Sequence, residues 1–184
     1  MKELALHILD IVQNSIVAKA ALIQIEIEEN TDSDLLKIDI IDDGHGMDEE
    51  LLRRVTDPFT TTRTTRRVGL GLPLLKQAAE ECNGGLQIHS RLNEGTTVNI
   101  WFQHSHIDRV PLGDMVETII TLLLNGNHFD LHYKHRVNQK EMSFDTREIR
   151  EILGDVPFSH PDVISWVKRS LQDEIEELYQ SYEG

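Results

Sequence analysis

Asp42-Asp43-Gly44-His45-Gly46-Met47, answered further on by Gly69-Leu70-Gly71-Leu72-Pro73, is the stretch on which the reading of this chain turns. Between the two glycine turns lies a polar run, Asp57-Pro58-Phe59-Thr60-Thr61-Thr62-Arg63-Thr64-Thr65-Arg66-Arg67. Pro73 suits the first position of a helix, where its missing N–H is no loss. Residues 74–82 are good helix formers that Asn83-Gly84-Gly85 would stop. Gly69 and Gly71 then stand where a helix begins, beside unpaired N–H groups and the positive end of its dipole. Such a place binds anions, phosphate above all. Two commoner phosphate motifs are absent from the sequence. There is no G-x-x-x-x-G-K, and Gly44-x-Gly46 is not extended to G-x-G-x-x-G.

Upstream, Leu4, Ile8, Ile11, Val12, Ser15 and Ile16 recur at helical spacing and predict an opening helix over residues 2–20. Its other face carries His7, Asp10 and Asn14, the last two stacked one turn apart. Burying such a pair is costly unless it is satisfied, so it faces either solvent or a polar ligand. Residues 22–28 alternate apolar and polar, and residues 35–41 form a second strand that delivers Asp42 into the first glycine turn. A short helix is expected over 49–55, and the run 58–68 has no apolar period. Downstream, residues 86–90 and 97–102 predict a hairpin. A helix over 113–125, a hairpin from 128–135 and 140–145, and helices over 146–153 and 161–182 follow.

Composition narrows the partners. A net charge of −14 over 184 residues argues against nucleic acid and against an anionic membrane as the main partner. Cys82 is the only cysteine, so no intrachain disulfide or zinc framework is expected, and the compartment is read as reducing. The longest apolar runs are too short to span a bilayer, and the first residues do not read as a signal peptide. Cytoplasmic residence is the expectation.

With these residues in order, the chain from Glu3 to Phe102 resembles the ATP-binding domain shared by DNA gyrase, heat-shock chaperones, histidine kinases and mismatch-repair MutL, the GHKL superfamily. Asp10-Ile11-Val12-Gln13-Asn14 is similar to its N box, Asp42-Asp43-Gly44-His45-Gly46 to its first glycine box, Phe59 to its F box, and Gly69-Leu70-Gly71-Leu72 to its second glycine box. Gly95-Thr96 looks like its last element. The Asp-Pro-Phe-Thr-Thr-Thr-Arg run resembles most the histidine kinases and the serine-kinase anti-sigma factors. The resemblance implies an α+β fold of the Bergerat type, a two-layer sandwich with helices over one face of a mixed β-sheet. Residues 1–104 would be the ATP-binding domain and residues 105–184 a small α/β C-terminal extension for contact with a partner protein or a second copy of the chain.

The resemblance also implies a site for ATP and Mg²⁺. Asn14 would offer its side-chain oxygen to the magnesium, which prefers oxygen ligands. Asp42 would accept from the adenine amino group, with Gly44 and Gly46 letting the backbone pass close beneath the base, Met47 among the nucleotide-binding residues, and Thr96 steadying Asp42 through a hydroxyl or a water. Phe59, Thr61, Thr62, Arg63, Gly69, Leu70, Gly71 and Leu72 complete the nucleotide-binding set, and Arg66 and Arg67 add cations near the phosphates. Asp10 is the catalytic candidate. Hydrolysing relatives place Glu there and histidine kinases Asn or His, so a polarising or Mg²⁺-shell role, a general base and a solvated cap residue remain alternatives. Downstream, Ser105-His106-Ile107-Asp108-Arg109-Val110-Pro111-Leu112 resembles a histidine box on the wrong side of the ATP domain; a strand exit is the competing reading. The function these features imply is a histidine-kinase-like protein that transfers phosphate to a partner protein, or a nucleotide-driven switch or slow ATPase without kinase activity.

Overall fold

A computed structural model describes residues 3–57, 71–125 and 128–180. Helix α1 (Leu4–Val17) leads into a hairpin of β1 (Leu22–Asn30) and β2 (Leu35–Asp42), then α2 (Glu49–Thr56). After the undescribed residues come α3 (Gly71–Glu81), β3 (Gly85–Arg91), β4 (Gly95–Gln103) and α4 (Met115–Asn125). The last elements are β5 (Asp130–Val137), β6 (Lys140–Asp145), α5 (Thr146–Leu153) and α6 (Pro161–Gln180). The strands form one mixed sheet in the order β3-β4-β2-β1-β5-β6. All neighbours are antiparallel except β1 and β5. A parallel pair needs a crossover, and the segment through α4 between β4 and β5 supplies one.

Strand parity divides the two faces. Ile23, Ile25 and Ile27 of β1, Leu36, Ile38 and Ile40 of β2, and Val98, Ile100 and Phe102 of β4 are buried under the helices. Leu4, Ile8 and Val12 of α1, Leu75 and Ala79 of α3, and Ile119 and Leu122 of α4 belong to the same core. Burying each of the larger side chains is worth about 1.5–3 kcal/mol. The opposite face is polar. Glu28 sits beside Arg136 and Glu26 beside Lys134 in the β1–β5 register, and Lys37 pairs with Asp39 at 3.1 Å. The fold is therefore α+β, with helices over one face of a mixed sheet, as the sequence implied. Residues 105–184 extend that same sheet through the β1–β5 ladder. Among the described residues no helix is long and apolar enough to cross a membrane.

Several boundaries move for local reasons. α1 stops at Val17 because Lys19 turns left-handed (φ 58°), with Lys19 N–H bonded to Ile16 O and Ala20 N–H to Ser15 O. α3 ends in the same way on Asn83 (φ 57°), and Pro73 lies in the first turn of its described part, which begins at Gly71. α4 starts at Met115 because Gly113 has φ 86° and Asp114 caps the helix through Glu117 N–H at 3.0 Å.

One buried polar group ties the last helix to the sheet. The parity that buries Ile27 also carries Glu29 inward, where 6 % of its surface is exposed. Its carboxylate accepts from His135 Nε2 at 2.8 Å, from His104 Nε2 at 3.1 Å and from the Tyr179 hydroxyl on α6. The other ring nitrogen of His135, Nδ1, lies 2.8 Å from the Tyr133 phenol oxygen. Burial and the neighbouring Tyr179 and Glu29 hold Tyr133 well above the usual phenol range. Burial alone would raise the Glu29 pKa. The bonds from His135 and Tyr179, the charge of His135 and the bond from His104 together outweigh it and bring the value to about 2.

A folded pKa below the ordinary 4.5 means that the folded state sheds its proton first. Stability from Glu29 is then complete above pH 4.5 and is lost as the pH falls towards 2. The shift corresponds to about 3 kcal/mol. Urea unfolding of the wild type and Glu29→Gln should differ by about 3 kcal/mol at neutral pH, with the gap closing as the pH falls below 4.5. A gap that does not change with pH would show that the charge of Glu29 contributes nothing.

Candidate functional site

Asp42 ends β2 in the middle of the sheet, opposite Ile23 of β1 on one side and Thr96 of β4 on the other. Its side chain turns into the helical layer and is 9 % exposed. There Oδ2 accepts the Ser15 hydroxyl of α1 at 2.6 Å, and Oδ1 accepts the Gly44 N–H at 2.9 Å. Each carboxylate oxygen keeps lone pairs free for a further donor. Asn14 is the residue before Ser15 and is half-buried, while Asp10, one turn earlier, is exposed. Among the described residues nothing hydrogen-bonds the Asn14 side chain. His7, on the same side of α1, is held below the usual histidine range by burial, with Asp10 opposing the shift.

The first glycine turn is a junction of three backbones. His45 N–H bonds to Ala18 O at the end of α1 (2.8 Å), and His45 O accepts Asn93 N–H from the β3–β4 turn (2.6 Å). Gly46 has φ 67°, and a Cβ there would lie 1.9 Å from Arg91 O. Gly95 has φ 110°, and its Cβ would lie 2.0 Å from Asp42 O. Neither position admits another residue without displacing the hairpin. Asp43 points the other way, and its Oδ1 accepts the N–H groups of Ala21 and Leu22 at 2.7 and 2.9 Å.

Met47 is half-buried against the core, and its N–H donates to Ser90 Oγ at 2.8 Å. Ser90 donates to Gly95 O at 3.1 Å and lies 2.8 Å from Thr96 Oγ1. Thr96 thus stands next to Asp42 in register but pairs its hydroxyl with Ser90; the hydroxyl on Asp42 is that of Ser15. Leu72 is buried, and Gly71 is exposed with open space where a Cβ would stand. Phe59, Thr61, Thr62, Arg63, Arg66, Arg67, Gly69 and Leu70 lie outside the described residues.

Three polar partners escaped the sequence reading: Ser15, Asp43 and Ser90. Ser15 left a trace, since it occupies a position in the apolar stripe of α1, where a buried hydroxyl must find an acceptor. The histidine-box-like segment is a strand exit. Ser105 donates its N–H and hydroxyl to Asp34, Arg109 Nε donates to His104 O at 2.6 Å, and His106 Nδ1 accepts Asp108 N–H at 3.2 Å. His132 bonds to Ser143, on the face opposite His135.

Residues 2–106 match the family described as histidine kinase-, DNA gyrase B-, and HSP90-like ATPase. The chain is 33 % identical over 104 residues to the non-motile and phage-resistance protein of Caulobacter vibrioides, covering 54 % of this chain and 12 % of that protein. It is 32 % identical over 85 residues to a putative sensor histidine kinase NtrY-like of Rickettsia felis, 46 % of this chain and 14 % of the other. It is 34 % identical over 76 residues to the sensor histidine kinase AruS of Pseudomonas aeruginosa, 39 % of this chain and 7 % of the other. The matched part is a small fraction of these relatives' length. Among solved structures, the N-terminal domain of a DNA repair protein is similar with a TM-score of 0.53 at 14 % identity. That likeness covers 83 % of this chain and 57 % of the other and concerns the fold alone.

The Ser15–Asp42 contact is a charge-assisted bond in a buried setting, worth about 1.5–3 kcal/mol. In a double-mutant cycle of Ser15→Ala and Asp42→Asn, followed by urea unfolding, a coupling of about 1.5 kcal/mol is expected. Additive effects would mean that the two side chains do not interact. Gly46→Ala should cost more than either single change, because its Cβ meets backbone.

Proposed function

Because the chain belongs to the histidine kinase-, DNA gyrase B-, and HSP90-like ATPase family, we propose that it binds Mg²⁺·ATP between α1 and the end of β2 and transfers phosphate to a partner protein in regulation. The observation that carries this reading is the Asp42 carboxylate, buried yet only partly satisfied, fixed by Ser15 one residue beyond Asn14. Asp42 would accept the adenine amino group, a bond the carbonyl of guanine cannot make. Asn14 fits a hard cation, since among the described residues nothing bonds its side chain and the residue is half-buried on the same helix. Bound there, Mg²⁺ would supply neutralisation of charge on the phosphates. Gly71, the first described residue of α3, has open space over its Cα, where a phosphate would fit.

Asp10 separates transfer from hydrolysis. It is exposed, one turn before Asn14, and one methylene shorter than the glutamate of hydrolysing relatives. A base must come within hydrogen-bond reach of the proton it takes. The shorter arm favours a place in the outer shell of the magnesium over efficient activation of water. Slow turnover without a partner is the consequence, and a nucleotide-driven switch is the second reading that this same feature supports.

Calorimetric titration should show ATP and ADP binding well above GTP, with Asp42→Asn losing about 1.5–3 kcal/mol of ATP affinity. Equal affinity for ATP and GTP would sink the adenine assignment. Asn14→Ala should weaken ATP binding in magnesium buffer and change it little in chelator; an identical defect in both buffers would make Asn14 structural. With γ-labelled ATP the purified chain should carry no acid-labile label on His106, whose Nδ1 is engaged within its own turn. Such a label, absent in His106→Gln, would make the chain its own acceptor.

A further inference from the structure

We propose that the free edge of β6, with the groove between it and α6, docks an extended segment of a partner protein that carries Lys or Arg at alternate positions, added as a seventh strand. Among the described residues β6 has one neighbour, β5, and their register runs unbroken from Val137↔Lys140 to His132↔Asp145. A two-residue turn over Asn138 and Gln139 closes the hairpin, so Val137–Lys140, His135–Met142 and Tyr133–Phe144 are the pairs that exchange backbone bonds. The backbone N–H and C=O groups of Glu141 and Ser143 therefore point away from the sheet. Among the described residues they meet no backbone partner. Edges of this kind are commonly blunted by proline, a bulge or a covering element. β6 has neither proline nor bulge.

Glu141 and Ser143 of the edge strand are exposed beside α6. Glu174, Glu177 and Leu178 of the helix and residues 140–143 of the strand line an open groove, with Lys140 Nζ bonded to Glu177 O at 3.1 Å at one side. An added strand would use the outward groups of Glu141 and Ser143 for main-chain bonds, and every second side chain would face α6. There Glu174 and Glu177 stand one helical turn apart, and neither has an ion-pair partner among the described residues. Lys or Arg at those alternate positions completes the charge. A second copy of this chain is the poorer occupant, because it would bring another Glu174 and Glu177 to the same seam in a protein of net charge −14. The surface stands apart from the nucleotide site, so its failure would leave the ATP reading intact.

The test uses the full chain with two fluorescein-labelled peptides, (Lys-Val)₄ and (Glu-Val)₄, followed by fluorescence anisotropy. The lysine peptide should bind, more weakly as salt rises. Binding should fall about tenfold in the Glu174→Gln/Glu177→Gln double variant, whose two surface changes leave the core untouched. Backbone amide exchange should show new protection at Glu141 and Ser143, with Met142 unchanged. Ser143→Pro removes one outward donor without touching the β5 ladder and should abolish binding. No binding, equal binding of the glutamate peptide, an unchanged affinity in the double variant, or no new protection would each overturn the proposal. So would a concentration-dependent dimer that protects the same two amides, which would assign the edge to a second copy.

Discussion

The hydrogen bond from Ser15 to Asp42 joins the first helix to the centre of the sheet, and the site is built around it. Asp42 lies at the end of an inner strand, so its backbone is held from both sides and only the side chain is free to choose a direction. Its choice of Ser15 fixes the rotation of α1. In that rotation Asn14, next to Ser15 in the chain, is half-buried, and Asp10, one turn earlier, is exposed. The glycines then follow from crowding. The end of α1, the β3–β4 turn and the end of β2 converge on the first glycine turn so closely that a Cβ at Gly46 or Gly95 would overlap a carbonyl. The same residues thus build the fold and form the candidate site. Loss of function at Gly46 alone would not separate the two, whereas base selectivity at Asp42 and metal dependence at Asn14 would.

Glu29 plays the corresponding part on the other side of β1. The carboxylate of a strand residue is buried in a helical layer, a costly placement that three donors from three different segments repay. One donor comes from the exit of β4, one from β5 and one from α6. The later part of the chain is therefore attached to the earlier part by a main-chain ladder and by a charged knot. Tyr179 is the donor from α6, so the knot fastens that helix to the end of β1 through one hydroxyl.

Elements were legible where periodicity was strong. The parity of β1 and β2, the apolar stripe of α1 and the extent of α5 follow from local pattern, and the four GHKL motifs pointed to the family. Partners distant in the chain were not legible. Ser15 and Asp42 are separated by 27 positions, and Glu29 and His135 by 106. Hydroxyls and single acidic residues carry no periodic signal of their own. Glu29 gave one local sign, the inward parity of β1 continued past Ile27 onto a charge. Thr96 showed the reverse. Its motif placed it next to Asp42, yet only the packing of the hairpin determined that its hydroxyl would meet Ser90.

The segment Ser105–Leu112 shows why a motif must be read together with its place. Its serine and arginine hold the exit of β4, and the carbonyls of Pro111 and Leu112 accept the N–H groups of Leu4 and Ala5 at 2.9 and 2.7 Å. These two are among the first N–H groups of α1, which have no partner inside the helix. The segment is thus the cap of the helix that carries Asn14. Each of these two bonds is worth about 1 kcal/mol, and together they hold the first turn of the helix that carries the candidate magnesium ligand. The observed bonds of this segment therefore serve to hold α1.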